Sequence, residues 1–201
     1  MTLKHLPRLA PLTAAIALVF SIPGSASAAS TSIDVTDRKG DGSPSLDIRH
    51  VKVTNRADYI EVQLTVTKLV TNPAKKDTSA AWVHFDTGGT ARPNHAMALL
   101  GYHGYSGGVS DWFRLSPNEY GDPFGDWTDC GVDGGYDWIS TWAKKNRITF
   151  RAPKECLNYP DRVRVEVNTE KQSKSRLKND WLGSVKTYTA WVDASSPEPV
   201  E

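Results

Sequence analysis

The stretch Asp58-Tyr-Ile-Glu-Val-Gln-Leu-Thr-Val-Thr-Lys68 decides the fold class of this chain. Ile60, Val62, Leu64 and Val66 alternate with polar residues, and a period of two is typical of a β-strand with one buried face. Such a strand must cover its apolar face with a second layer, because a single sheet leaves that face in water. The pattern therefore predicts an antiparallel, layered all-β protein.

Similar alternation recurs along the chain and extends this prediction. It predicts a strand over residues 46–53 with a bulge at His50, because the alternation slips there by one residue. Further strands are expected at residues 80–86, 96–103, 136–142, 147–151, 162–167 and 185–192. Residues 171–179 are almost wholly polar and predict a solvated loop or one exposed turn. We expect a two-sheet antiparallel β-sandwich with a jelly-roll-like connection.

The ends of the chain carry different signals from the middle. Lys4 and Arg8 precede an apolar run, and Ala26-Ser-Ala28 is a small-x-small cleavage site, so residues 1–28 are predicted to be a secretory signal peptide. Residues 29–193 are predicted to form a single β-sandwich domain, and residues 194–201 a disordered tail. The predicted localisation is secreted, or extracellular.

Charge and hydropathy exclude two classes of protein. Removal of the predicted signal lowers the 24 basic residues to 22, against 23 acidic ones. This balance argues against nucleic-acid binding driven by bulk charge and against a polybasic membrane anchor. A membrane span is not expected either, because no further run of about 18 apolar residues follows.

Two cysteines, Cys130 and Cys156, are the only ones in the chain. An even number in an exported protein predicts a disulfide bond between them. Neither has the closely spaced Cys or His partners of a zinc site.

An aspartate-rich turn occupies residues 34–48, where glycines and aspartates crowd together. Calcium takes six to eight oxygen ligands, and we expect Asp37, Asp41 and Asp47 to supply carboxylates to a possible structural calcium. The spacing does not fit an EF-hand, which needs a glutamate at its twelfth position. The alternative is a polar turn held by its own hydrogen bonds.

Two resemblances accompany these patterns. The Asp37-x-x-x-Asp-Gly turn leading into Leu46-Asp-Ile48 resembles the start of DOMON-type and family-9-type carbohydrate-binding sandwiches. That resemblance implies carbohydrate binding and, in some members, a structural calcium near the turn. The segment from Phe150 to Val165 is similar to small secreted β-sandwich proteins of high-GC Gram-positive bacteria that have no assigned activity, which implies fold and export only.

Seven tryptophans follow the predicted signal peptide. An indole beside a carboxylate suits a sugar, because ring stacking and hydrogen bonds to hydroxyls are both supplied. Residues 104–135 are rich in glycine and predict a long decorated loop, where we look first for function. The predicted ligand-binding residues are Trp82, Trp112, Asp126, Trp127, Asp129 and Trp181. The alternative for each indole is burial in the core, and Trp138, Trp142 and Trp191 are assigned to packing.

Catalytic patterns are weak, and no catalytic residue is predicted. Gly104-Tyr-Ser106-x-Gly108 matches a nucleophile elbow, but no helix or later histidine follows. His84, Asp86 and His103 could bind a metal in a hydrolase.

We therefore expect a secreted, non-enzymatic protein that binds a polysaccharide, a cell-wall glycan or another extracellular surface. One alternative is an interaction or inhibitor module for an exported protein partner, and a less favoured one is a metal-dependent hydrolase.

Overall fold

The computed structural model describes residues 31–38, 40–69, 78–88, 93–100, 109–114, 126–127, 138–173, 176–185 and 187–194. The predicted signal peptide and all of the predicted tail except Ala194 lie outside these residues. The description below refers to the described residues only.

Twelve strands and two short 3-10 helices form the described chain. In chain order they are β1 (Ser32–Thr36), β2 (Ile48–Asn55), β3 (Tyr59–Val66), β4 (Thr78–Asp86), β5 (His95–Leu100), β6 (Val109–Arg114), β7 (Asp126–Trp127), β8 (Ile139–Trp142), η1 (Ala143–Lys145), β9 (Arg147–Pro153), η2 (Lys154–Leu157), β10 (Arg162–Ser173), β11 (Arg176–Trp181) and β12 (Val192–Asp193).

The strands form two antiparallel sheets. One sheet has five strands in the order β1-β2-β3-β9-β8, and the other has the order β11-β10-β4-β5-β6-β7, with β12 paired to β10. Side chains from both sheets meet in one apolar core, which contains Val62 and Phe150 from the first sheet and Phe85 and Val165 from the second. The prediction of an all-β protein with two antiparallel sheets is therefore confirmed.

Most of the predicted strands are present. Residues 60–66 alternate as expected, since Ile60, Val62, Leu64 and Val66 are all buried. The predicted bulge in β2 is also present, because the register with β3 shifts between Ile48 and His50. A single buried face is therefore a reliable guide to strands of this kind.

The segment 171–179 was predicted wrongly. Residues 171–173 end β10 and residues 176–179 lie in β11, and these strands pair from Asn168 opposite Trp181 to Ser173 opposite Arg176. Leu177, Lys178 and Asn179 are exposed, so this end of the strand pair has no apolar alternation to reveal it. Of the described residues in the predicted strand at 185–192, only Val192 is in a strand, β12.

Strand order differs from the predicted jelly roll. Strands that follow one another directly in the chain mostly pair as neighbours, as short connections favour. One Greek-key arrangement is present, since β4, β5 and β6 pair in sequence and β10 returns to lie beside β4. A jelly roll contains two such arrangements.

Cys156 lies half-buried in η2. Its predicted partner, Cys130, lies outside the described residues, so the disulfide bond stays a prediction. No helix in the described part of the chain has the length and apolar character needed to cross a membrane.

Polar contacts join the two sheets beside β2. The Thr169 hydroxyl on β10 donates to the Leu46 carbonyl at 2.7 Å, and the Ile48 amide donates to the Asp180 carboxylate on β11 at 2.6 Å. Both bonds are buried and connect residues more than 120 positions apart. They hold the aspartate-rich turn between β1 and β2 against the end of β11.

Candidate metal centre

Asp47 organises the aspartate-rich turn from inside. Its Oδ1 accepts hydrogen bonds from the amides of Gly40 at 2.9 Å and Gly42 at 3.2 Å, and its Oδ2 accepts from the Thr67 hydroxyl at 3.0 Å and from Arg49 at 3.3 Å. Burial raises the pKa of Asp47, but these hydrogen bonds outweigh burial and hold it below 3.8. Its two oxygens are thus already used by the protein.

Gly42 permits the close approach of the turn to β11. A Cβ atom at this position would lie 2.5 Å from both Cγ and Oδ2 of Asp180. Only glycine leaves room for that contact. The turn can therefore lie directly on the Asp180 carboxylate, which also receives the Ile48 amide.

Asp37 follows β1 and faces the same place. Its Oδ1 accepts a hydrogen bond from the Gly183 amide at 2.8 Å, which ties the end of β1 to the residues after β11. Its Oδ2 is buried and has no hydrogen-bond partner within the described chain, although the residue is only 7% exposed. Burying a carboxylate oxygen without a hydrogen-bond partner is energetically costly.

Three carboxylates converge here. Asp37, Asp41 and Asp180 each offer an oxygen, and these atoms all lie within 4.8 Å of one another. Asp37 and Asp180 are buried, whereas Asp41 is exposed and closes the group from the solvent side. We call this group the carboxylate cluster.

Simultaneous ionisation of all three carboxylates in the carboxylate cluster is unfavourable without a bound cation. Burial raises the pKa of Asp180 to about 6, helped by the charges of Asp41, Asp37 and Asp47 and opposed by the Ile48 amide. Burial likewise raises the pKa of Asp37 above 3.8. A bound cation would compensate this repulsion and use the unpartnered Asp37 oxygen.

The carboxylate cluster differs from the predicted calcium ligands in one member. The structure brings Asp37 and Asp41 together as expected, but Asp180 takes the place that the sequence assigned to Asp47. Asp180 is distant from the turn in the chain. The sequence offered no spacing that connects it to the turn.

A second group of interest lies on the seven-stranded sheet formed by β4–β7 and β10–β12. It consists of Trp82, His84 and Trp181, and we call it the aromatic row. The His84 ring stacks on Trp82 at 6.2 Å between ring centres and on Trp181 at 6.5 Å. Burial lowers the pKa of His84 to about 4, against a hydrogen bond to the Glu166 backbone that raises it. His84 is therefore neutral at physiological pH.

The predicted sugar-binding indoles have different surroundings. Trp82 is only 4% exposed and packs with Ala80, Ala96 and Ala98, so little of its ring is free for a sugar. Trp181 is half-buried and keeps part of its surface accessible. These two predicted residues are therefore brought together on one face, as the aromatic row.

The remaining predicted ligand residues are described only in part. Trp112 lies in β6 opposite Met97, and Asp126 and Trp127 form β7, paired with β6. Asp129 and most of the loop 104–135 lie outside the described residues. A role for these residues in binding stays a prediction.

The hydrolase alternative depended on His84, Asp86 and His103. Val83 and Phe85 point into the core, as that interpretation required. Asp86, however, is fully buried and forms an ion pair with Arg164, whose Nη2 lies 2.7 Å from Oδ2. His103 lies outside the described residues. In the described chain, the carboxylate cluster is the group found with metal-ligand geometry.

The three tryptophans assigned to packing have different surroundings. Trp138 packs against the core, as expected. Trp191 lies against two arginines, with the Arg162 and Arg164 guanidinium carbons 4.4 and 4.6 Å from its ring centre. Trp142 is 45% exposed, so its assignment to packing was wrong. It lies on edge strand β8, where no further strand of the described sheet covers it.

Comparison with known proteins adds no relative. Protein-family models, curated proteins and solved structures all give no match to this chain.

Gly42→Ala should destabilise the protein by about 1–3 kcal/mol, because the new methyl group would overlap Asp180. Thermal melting with excess chelator measures the effect without any cation. Gly40→Ala is the comparison, because a Cβ there meets nothing within 4 Å and only its φ of +91° is unfavourable. A Gly42→Ala protein as stable as wild type would contradict the close contact between the turn and Asp180.

Acidification from about pH 7 to about pH 5 should stabilise the cation-free wild type relative to Asp180→Asn. Asp180 has a folded-state pKa of about 6, above its unfolded value of 3.8, so the folded state binds more protons at this site in this window. His84 has the opposite effect in both proteins, because burial lowers its pKa from 6.5 to about 4. Asp47 and Glu61 have lowered pKa values and lose their contribution only at lower pH. A difference in melting temperature between the two proteins, measured in chelator, that stays constant over this window would contradict the assignment.

Proposed function

We propose that this protein is an exported, non-enzymatic binding protein whose two sheets are held together by a divalent cation, calcium. The observation that carries the proposal is the carboxylate cluster, in which the buried Asp37 Oδ2 has no partner within the described chain. Both carboxylate oxygens of the neighbouring Asp47 accept hydrogen bonds from the protein, whereas Asp37 Oδ2 accepts none within the described chain.

The chemistry of the donors favours calcium over other metals. Asp37, Asp41 and Asp180 offer only hard carboxylate oxygens, with no histidine or cysteine in the group. Zinc and copper prefer nitrogen and sulfur ligands, whereas calcium accepts carboxylates, carbonyls and water in flexible numbers. Magnesium demands a near-ideal octahedron and is bound more often through its waters.

The position of the carboxylate cluster explains what the cation would do. Asp37 follows β1 of the five-stranded sheet, and Asp180 lies on β11 of the other sheet. A cation bound between them would connect the edge strands of both sheets at one end of the core. Its role would be structural, since nothing in the cluster requires it to activate a substrate.

The binding partner that we favour is an extracellular glycan. Support comes from the aromatic row, where the half-buried Trp181 stacks on His84. This places accessible indole surface on the face of the sheet, where a sugar ring could stack on it. An exported protein partner remains the alternative, and the His84, Asp86 and His103 hydrolase is favoured least.

Calcium should raise the melting temperature of the protein, because a ligand bound only to the folded state stabilises it by about 2.7 kcal/mol at a hundred times its dissociation constant. Asp41→Asn should weaken this response at least tenfold in calcium concentration. Asp41 is exposed, so the variant should remain folded.

Asp180→Asn should separate binding from stability. It should lose the calcium response and yet melt no lower than wild type in chelator, because its ionised carboxylate is unfavourable in the cation-free fold. Asp34→Asn is the matched control, since Asp34 is an exposed aspartate on β1 that bonds to His50. A wild-type melting curve that calcium and chelator leave unchanged would contradict the cation proposal.

Trp181→Ala should weaken binding to a neutral polysaccharide by about 1–2 kcal/mol if a sugar stacks on the indole. The measurement is pull-down on insoluble polysaccharides and cell-wall material, with Trp112→Ala and Trp127→Ala tested in parallel. Trp191→Ala is the control, because this indole lies against Arg162 and Arg164 instead. Wild-type protein that binds none of these materials would favour the protein-partner alternative.

A further inference from the structure

The solvent-facing side of the five-stranded sheet carries a row of cationic and aromatic side chains that the proposed function does not use. Its members lie on β3, β8 and β9 or in the adjoining turn and helix η1. We call them the cationic row: Arg56, Tyr59, Trp142, Lys144, Lys145, Arg147 and Arg151. Arg56, Trp142, Lys144, Lys145 and Arg151 are exposed, whereas Tyr59 and Arg147 are half-buried.

Trp142 is the aromatic end of the cationic row. Its indole is 45% exposed, with the Lys145 ammonium 4.6 Å and the Arg147 guanidinium carbon 5.0 Å from the ring centre. Trp142 also pairs with Arg147 in the register of β8 and β9. An exposed indole between two cations offers apolar area and positive charge in the same place.

The other end of the cationic row is arranged around Tyr59. The guanidinium carbons of Arg56 and Arg151 lie 5.7 and 5.6 Å from its ring centre. Arg151 also donates its Nε to Glu61 at 3.0 Å. The terminal amino groups of this arginine have no partner assigned within the described chain, and the side chain is 46% exposed.

Glu61 fixes the arginines without neutralising them all. This carboxylate is 5% exposed, and burial raises its pKa. The hydrogen bonds from Gln63 and Arg151 lower the pKa by more than burial raises it, so the pKa lies below 4.5. Gln63 donates to Glu61 at 2.8 Å and accepts from Arg147 at 3.2 Å. One ionised carboxylate thus positions Arg151 directly and Arg147 through Gln63. Pre-ordered arginines lose less entropy when they bind an anion.

Positive charge is in excess on this face. Among the ion pairs of the described chain, Glu61 is the only carboxylate paired with a member of the cationic row, and Asp34, on the far edge strand β1, bonds to His50. Arg147 and Arg151 are four residues apart on β9, a separation of roughly 13 Å along the strand. A single small anion cannot contact both, whereas a polymer with repeated negative charges can.

We infer that the cationic row binds an acidic polysaccharide that carries carboxylate groups. Arginine forks match carboxylates with two hydrogen bonds, and the exposed part of the Trp142 indole suits the apolar face of a sugar ring. The near-neutral chain as a whole favours such a local match over general attraction to phosphate polymers. This inference rests on the proposed function in one respect, that the protein binds a glycan.

The experiment measures binding of the full-length, calcium-saturated secreted protein to hyaluronate, with carboxyl-reduced hyaluronate as the neutral polymer of matched structure. Wild type should bind hyaluronate and lose most of the affinity on the reduced polymer. Trp142→Ala should weaken binding about tenfold, and Trp142→Phe should restore part of it. Arg147→Gln with Arg151→Gln should remove binding, with the fold checked by its melting temperature.

The control is Lys178→Gln, which removes an exposed cation from β11 in the other sheet and should leave binding unchanged. An equal loss in Lys178→Gln and Trp142→Ala would overturn the placement of the site. Equal binding to both polymers would overturn the inference and leave the proposed glycan binding intact. Equal binding to duplex DNA would show nonspecific electrostatic binding of polyanions and would also overturn the inference. Binding to no polysaccharide would overturn both, while the calcium proposal is decided separately by melting.

Discussion

The buried hydrogen bond from the Ile48 amide to the Asp180 carboxylate is the interaction on which this structure depends most. It brings an ionisable group between the two sheets and anchors the turn before β2 to the end of β11. The close contact with Gly42 and the convergence with Asp37 and Asp41 all follow from where that carboxylate is held. The protein gains a connection between its sheets and accepts in return a buried carboxylate near two others.

The fold class was predictable because its signal is local. Alternation at residues 60–66 needs only neighbouring side chains, and the bulge at His50 was visible as a slip in that alternation. The hairpin of β10 and β11 was missed because Leu177, Lys178 and Asn179 are exposed, which removes the contrast between two faces. Strand order was beyond reach for a related reason: several pairings satisfy the same apolar pattern.

The candidate site was half predictable. Asp37 and Asp41 belong to a turn whose composition already indicates cation chemistry, but Asp180 joins them through a contact between distant strands that no spacing encodes. Asp47 was included because sequence cannot tell a carboxylate that binds backbone amides from one that is left open, and its role as a calcium ligand stays a prediction. Trp142 illustrates the same limit, since an indole on an edge strand and an indole in a core have the same letter.

The distance along the chain between Ile48 and Asp180 has a consequence for assembly. Closing a loop of more than 130 residues costs entropy that must be recovered by contacts made elsewhere, so the contact between Ile48 and Asp180 depends on the pairing of both sheets. The three carboxylates therefore do not exist as a group in a partly folded chain, which retains at most the aspartates of the turn. If the carboxylate cluster binds a cation as proposed, high affinity for that cation would indicate a completely folded chain. A chain in which β11 is not yet paired would lack this affinity.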